Sequence, residues 1–321
     1  CSSDLAKEKE IDVFLTIHDF YLNCPNINFL YLNRTYCVDT RNEEMCKKCI
    51  KNNHGYNGDF IGIWNKEVYK LLRKIDMIFA PSESAKKIFE EYYIDKYGEI
   101  DFKINVVEHG IDKNIEFISK DVSKSEEKFK IAFIGGLSRN KGSGIIHDIV
   151  KNNKNKNIEW HLFGNIGDQR LNLLDKKDLI KHGRYDRNEI EKLLTENDIN
   201  LVGIFSIWPE TYSYTLSESI VAGIPTLVTD IGALGERVKK YDIGWTIKYD
   251  ADYKEILSKV CEIIENEQFY VEKKNNVKKM VLPTKKQMAS YYEGIYLNVA
   301  KSTLKCLNSI SVKNMLLNYR L

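Results

Sequence analysis

Short apolar runs rich in Ile, Val and Leu alternate with stretches of helical periodicity along most of the chain, and this alternation restricts the fold more than any other feature. IDVFLTIHDF (11–20), IDMIFAPS (75–82) and INVVEHG (104–110) read as buried strands, while KEVYKLLRKI (66–75) and ESAKKIFEEYY (83–93) have helical spacing. A polar stretch, ISKDVSKSEEKFK (118–130), reads as a linker. The pattern then resumes with strands KIAFIGG (130–136), IEWHLFG (158–164), LIKHGRY (179–185), INLVGIF (199–205) and PTLVT (225–229). Helices are expected from about Gly144, over DRNEIEKLLTEND (186–198) and over YTLSESIVA (214–222). In the second of these, Asp186 and Glu189 are spaced as a capping box. Alternation of this kind predicts an α/β protein with parallel sheets covered by helices, and ligands in such sheets sit beyond the carboxyl ends of the strands.

A chain of 321 residues is long enough for two such domains. The expected division is 1–122, 123–300 and a C-terminal helical segment, 301–321, that packs back on the first domain. With 48 basic and 46 acidic residues the net charge is only +2, which argues against a nucleic-acid binder. No apolar run approaches the roughly 18 residues a membrane-spanning helix needs. The opening CSSDLAKEKEID lacks Met and the apolar core of a secretory signal, so a piece of a longer chain is expected.

Two stretches carry chemistry. In FIGGLSRNKGSG (133–144) a strand ends in Gly135 and Gly136, a short loop carries Arg139 and Lys141, and a helix follows. Glycine lets a backbone approach a ligand, and free N–H groups at a helix start attract anions. The spacing is neither that of a P-loop nor G-x-G-x-x-G, and such a turn is also an ordinary connection. In WPETYSYTLSESIVAGIPTLVTD (208–230), Glu210 and Glu218 flank an uncharged, hydroxyl-rich turn. A carboxylate there accepts two hydrogen bonds from a vicinal diol of a sugar or ribose. The plain alternative for Glu218 is an exposed helix charge.

Four of the seven cysteines, Cys24, Cys37, Cys46 and Cys49, are spaced C-x12-C-x8-C-x2-C. Four thiolates complete a closed tetrahedral zinc site, so a structural zinc is expected, with His54 as a spare ligand. Buried thiols or a disulfide are the alternatives. Phe20, Tyr21 and Tyr31 nearby read as core.

GGLSRNKG, then HGRY, then E-x7-E with AGIP and TDIGALGE, in this order, resemble the nucleotide-sugar domain of glycosyltransferase family 4. The likeness covers nearly all of 11–300, and E-x7-E followed by AGIP is its most specific part. PETYSYTLSES, with HDFYLNCP, YC and CKKC, resembles the subgroup that builds O-antigen, capsule and other bacterial surface polysaccharides. The resemblance implies a GT-B fold, two facing Rossmann-like domains, with the first one incomplete here because the Gly-rich loop and strands that usually precede the IHD strand are missing. It also implies transfer of a sugar, with retention, from a nucleotide diphosphate sugar to a glycan or lipid-linked acceptor, without a catalytic cofactor, in the cytoplasm at or near the membrane face.

Residue by residue, the resemblance assigns Lys141 to the donor diphosphate and Glu210 to the sugar hydroxyls. Glu218 falls to the ribose hydroxyls, and Ser213, Tyr214 and Thr215 to the diphosphate through their amides. Gly183, Arg184 and Tyr185 fall where the base is held, and His18 faces the donor sugar. Two departures stand out. Gly136 occupies the position where the family often has Arg, leaving Arg139 to reach in. The usual E-G-F-G-L reads E-T-Y-S-Y-T-L. A non-catalytic nucleotide-sugar-binding or scaffolding module is the alternative function. An epimerase of the same fold would need acid and base carboxylates that have no obvious place.

Overall fold

A computed structural model describes residues 2–32, 34–37, 42–112 and 128–303. The first unit contains strands β1 (Phe14–Thr16), β2 (Leu30–Tyr31), β3 (Thr35–Tyr36), β4 (Met77–Ala80) and β5 (Ile104–Val106). Its helices are α1 (Ser2–Glu8), α2 (Glu43–His54), α3 (Phe60–Leu72) and α4 (Glu83–Tyr97). β1, β4 and β5 form a parallel sheet in that order, and β2 and β3 a small antiparallel ribbon.

The second unit has strands β6 (Phe129–Ile134), β7 (Ile158–Phe163), β8 (Ile180–Gly183), β9 (Leu201–Ile204), β10 (Thr226–Thr229) and β11 (Gly244–Ile247). Between and after them run α5 (Ser143–Asn152), α6 (Gln169–Asn172), α7 (Ile190–Glu196), α8 (Tyr214–Val221), α9 (Gly232–Tyr241), α10 (Tyr253–Glu265), α11 (Glu267–Lys278) and α12 (Lys285–Thr303). All six strands are parallel, in the order β11-β10-β9-β6-β7-β8. Ile131 and Phe133 of β6 face one core with α5 and α10, while Ala132 and Ile134 face the other with α8 and α9. A sheet buried on both faces explains why these strands read as continuous apolar runs.

Several elements differ from their expected form. IDVFLTIHDF yields only three strand residues, so His18 lies beyond the strand on a loop. The helix expected from Asp186 starts at Ile190, with Glu189 at its N-cap and no side-chain cap. Asp186 instead accepts a bond from the Asn188 amide two residues on (2.8 Å), the local turn that Asp side chains favour over a helix. Residues 113–127, which include most of the expected linker, and 304–321 of the expected terminal segment lie outside the described residues. Among the described residues, α12, most of which belongs to the expected second domain, packs on the first sheet: Tyr292 lies edge-on against Phe79 (4.9 Å between centroids) and Tyr296 against Phe14 (4.8 Å). No helix among the described residues is long and apolar enough to cross a membrane.

Candidate active site

The order of the large sheet places the site. From the central strand β6 the chain moves outward to β7 and β8, then returns to β9 on the other side of β6. The loops after β6 and β9 therefore diverge and leave a crevice at the carboxyl edge, the usual ligand position in open parallel sheets. Gly135 (φ +96°) opens the loop after β6, and Gly164 (φ +133°) the turn after β7. A Cβ on Gly164 would lie 1.9 Å from the Gly135 carbonyl oxygen, and one on Gly135 would lie 2.8 Å from Thr215 Cγ2. The two turns and the start of α8 thus close into one floor only because glycine stands at both positions.

Over that floor opens a cavity of about 500 Å3. Gly135, Gly136, Lys141, Arg184, Tyr185, Glu210, Ser213, Tyr214, Thr215 and Glu218 all line it, as does His18 from the first unit. Glu210 is 4% exposed, yet a polar partner reaches each of its oxygens: Lys141 Nζ lies 2.7 Å from Oε2 and the Ser206 hydroxyl donates to Oε1. Lys141 also lies 5.6 Å from the centroid of the Trp208 ring. It is therefore a paired cation over an aromatic face rather than a solvated one.

Glu218 is not an exposed helix charge; its side chain is 11% exposed and faces the same cavity. The Tyr185 hydroxyl donates to Oε2 (2.7 Å) and Arg187 Nε lies 3.4 Å from Oε1. Burial pushes the Glu218 carboxyl above its usual range, against the opposing pull of Tyr185 and Arg187. Burial, then the Glu218 charge, likewise raises the Tyr185 phenol, which stays protonated and donates. The Arg184 guanidinium donates to the Asn165 side chain.

The opposite wall comes from the first unit. His109, on the loop after β5, is buried; its ring lies between those of His18 (5.8 Å between centroids) and Tyr214 (5.5 Å, 4° between planes). Burial, reinforced by the nearby charges of His18 and Arg237, lowers its pKa to about 4, so the ring is neutral at physiological pH. The Tyr212 hydroxyl donates to the His109 carbonyl (2.8 Å) and the Thr211 hydroxyl to the His18 carbonyl (2.7 Å). The loop after β9 is thereby stitched to both histidine-bearing loops.

Arg139 does not join the site; it is exposed on the short turn Arg139–Lys141 and is absent from the cavity wall. A Cβ at Gly136 would meet nothing within 4 Å. His109, Asn165, Arg187 and Trp208 line the cavity without having been expected there. Their shared signal is position: each lies just past the carboxyl end of a strand or beside a motif residue.

Away from this cavity, Cys24, Cys37, Cys46 and Cys49 line one cavity of about 20 Å3, room for a single water-sized sphere. All four carry reduced thiols. Cys49 Sγ accepts bonds from Asn26 Nδ2 (2.9 Å) and the Leu32 amide (3.2 Å). His54 turns its Nε2 to Asn26 Oδ1 (2.7 Å). Among the described residues, no group of three or more His, Cys, Asp or Glu is arranged to hold a metal ion.

Solved structures with the same architecture include Anabaena Alr3699/HepE in complex with UDP and glucose (TM-score 0.59, 14% identity, 93% of this chain and 74% of that one). Sucrose-phosphate synthase from Thermosynechococcus elongatus is similar as well (TM-score 0.63, 12% identity, 94% and 72%). Identities this low speak for the fold, α/β with the GT-B arrangement. In sequence, the chain is 24% identical over 244 residues to an uncharacterised 41.2 kDa protein in the cps region of Klebsiella pneumoniae, covering 73% of this chain and 66% of that protein. The family model for glycosyl transferases group 1 matches residues 114–280, just over half of the chain and all the strands that build the crevice, and the chain belongs to that family.

Proposed function

We propose that the chain transfers a sugar, with retention, from a nucleotide diphosphate sugar to a glycan or lipid-linked acceptor in the making of a surface polysaccharide. The observation that carries this reading is the placement of Glu210 and Glu218, both largely buried, in a single cavity with Lys141 and the start of α8. Burying two carboxylates beside one cavity is costly; Lys141 and Ser206 at Glu210, and Tyr185 and Arg187 at Glu218, offset that cost, and ligand hydroxyls would take over part of their role. Glu218 is suited to a ribose diol, with Arg184 and Tyr185 beside the base. Glu210 is suited to sugar hydroxyls, which would take over from Lys141 as that cation turns to the diphosphate. His18 faces the sugar from the other wall. As the bond from the anomeric carbon to the diphosphate oxygen breaks, Lys141 and the α8 amides stabilise the charge left on that oxygen. The acceptor oxygen bonds to the same face of that carbon, and its proton passes to the departing diphosphate.

Among proteins of this fold, Alr3699/HepE is described with UDP and glucose, so UDP is the first probe, with GDP and ADP beside it. Calorimetric titration is expected to give saturable binding of at least one. Incubation with the matching nucleotide sugars is expected to release nucleoside diphosphate slowly without acceptor. Binding without release would favour the non-catalytic module, and no binding of any of the three would sink the donor site. The site of action in this reading is the cytoplasm, at or near the inner face of the membrane.

We also propose that ion binding draws the four thiols together as a structural zinc site. The cavity is the size of one ion, and the N–H groups reaching Cys49 are the contacts that orient a ligating thiolate. Elemental analysis is expected to find one zinc per chain. Chelation should lower the melting temperature of the first unit while nucleoside diphosphate affinity persists, since metal affinity of this kind is folding energy. Far less than one zinc per chain discards the site.

A further inference from the structure

Arg237 is among the most completely buried side chains of the protein, 1% exposed on α9, and among the described residues no carboxylate pairs with it. Its Nη1 donates to the carbonyls of Tyr212 (3.0 Å) and Ser213 (3.1 Å), and its Nη2 to Ser217 Oγ (3.0 Å) and the Tyr212 hydroxyl (3.4 Å). The guanidinium lies 4.1 Å from the centroid of the Tyr212 ring, and its Nε has no hydrogen-bond partner. A desolvated cation without a counter-charge is a costly way to hold a turn that neutral donors would also hold.

The two carbonyls it grips belong to the peptide groups whose N–H ends are those of Ser213 and Tyr214. The peptide is planar and trans, so N–H and C=O point in opposite directions. With the carbonyls turned down onto Arg237, these amides turn up on the side where Ser213 and Tyr214 line the cavity. Ser213 holds φ +68°, a conformation a non-glycine residue keeps only when its surroundings impose it. The amides at the start of α8 have no acceptor within the helix. A charged bond at the carbonyl end also polarises the same peptide group and strengthens its N–H as a donor.

We propose that Arg237 is a positioning residue for phosphate binding: it aims and polarises the Ser213 and Tyr214 amides, and the bound diphosphate supplies the counter-charge that the protein leaves out. This rests on the donor-site reading above. Of UDP, GDP and ADP, the one that wild-type protein binds tightest is titrated into Arg237→Met, alongside its free nucleoside. The diphosphate is expected to lose about ten- to a hundredfold in affinity, the scale of a hydrogen bond to a charged group, with nucleoside affinity unchanged. Arg237→Lys keeps the charge but not the fork, and is expected to lose less, about tenfold, while remaining folded by circular dichroism. A purely structural role would lower the melting temperature and weaken both ligands in proportion. That outcome, or undiminished diphosphate binding in folded Arg237→Lys, overturns the assignment. Absence of diphosphate binding by wild-type protein would instead refute the donor site itself.

Discussion

Lys141→Ala is expected to reduce turnover of any accepted nucleotide sugar by about 10²–10³-fold, the usual effect of removing one group that stabilises a developing oxyanion. The ground state should change less. Lys141 is tied to Glu210 at 2.7 Å before any donor arrives, so part of its binding energy replaces an existing contact. The loss should therefore fall on kcat more than on KM. The same substitution leaves Glu210 buried with only Ser206 as a partner, and a modest loss of stability follows. Single-turnover measurement with saturating donor separates the two effects: a rate within threefold of wild type would remove Lys141 from the chemistry.

Glu218→Gln is expected to separate function from stability in the opposite sense. Two charged hydrogen bonds to a ribose diol are each worth about 1.5–3 kcal/mol, so nucleoside diphosphate affinity should fall by about 10²-fold or more. The fold, however, should gain. Burial raises the Glu218 carboxyl in the folded chain above its value in the unfolded one. Stability from such a group is fully present below the unfolded pKa and is lost as pH rises through the folded one. Glutamine removes that loss and still accepts from Tyr185. The melting temperature of the variant should exceed that of wild type at pH 7, and the gap should close as pH falls below the ordinary carboxylate range. A lower melting temperature at pH 7 would mean that Arg187 and Tyr185 more than offset the burial.

The large sheet was readable because its strands are buried on both faces: FKIAFI, IEWHLF and LVGI have no solvated side to interrupt the apolar run. Glu210 and Glu218 stood out because one loop and one helix carry both, so their spacing in sequence is also a spacing in space. His109 did not stand out, because its role comes from contacts with His18 and Tyr214, roughly 90 and 100 positions away. Arg237 was invisible for a related reason: in GERVKK it looks like one more basic residue on a solvated helix, and only the packing of α9 under the Tyr212 turn makes it a buried cation. Arg139 shows the reverse error. It sits in the right loop, but a short turn points it outward while Lys141, two positions on, reaches in.

The chain passes from the first unit to the second beyond Ile111 and comes back at Thr284, and these two passages are bonded to each other. The Ile111 amide donates to the Pro283 carbonyl and the Lys285 amide to the Ile111 carbonyl, both at 2.9 Å. A Cβ on Gly110 would lie 2.5 Å from the backbone of Thr284 and Lys285. One edge of the crevice is therefore fastened like the spine of a book. Among the described residues, its far edge is held by contacts that involve side chains, such as Ser82 Oγ to the Thr211 carbonyl at 2.8 Å. Geometry then leaves a turning of the covers about that spine as the way to change the gap between the His18–His109 wall and the Glu210–Glu218 wall, because a straight parting would have to break both backbone bonds at once.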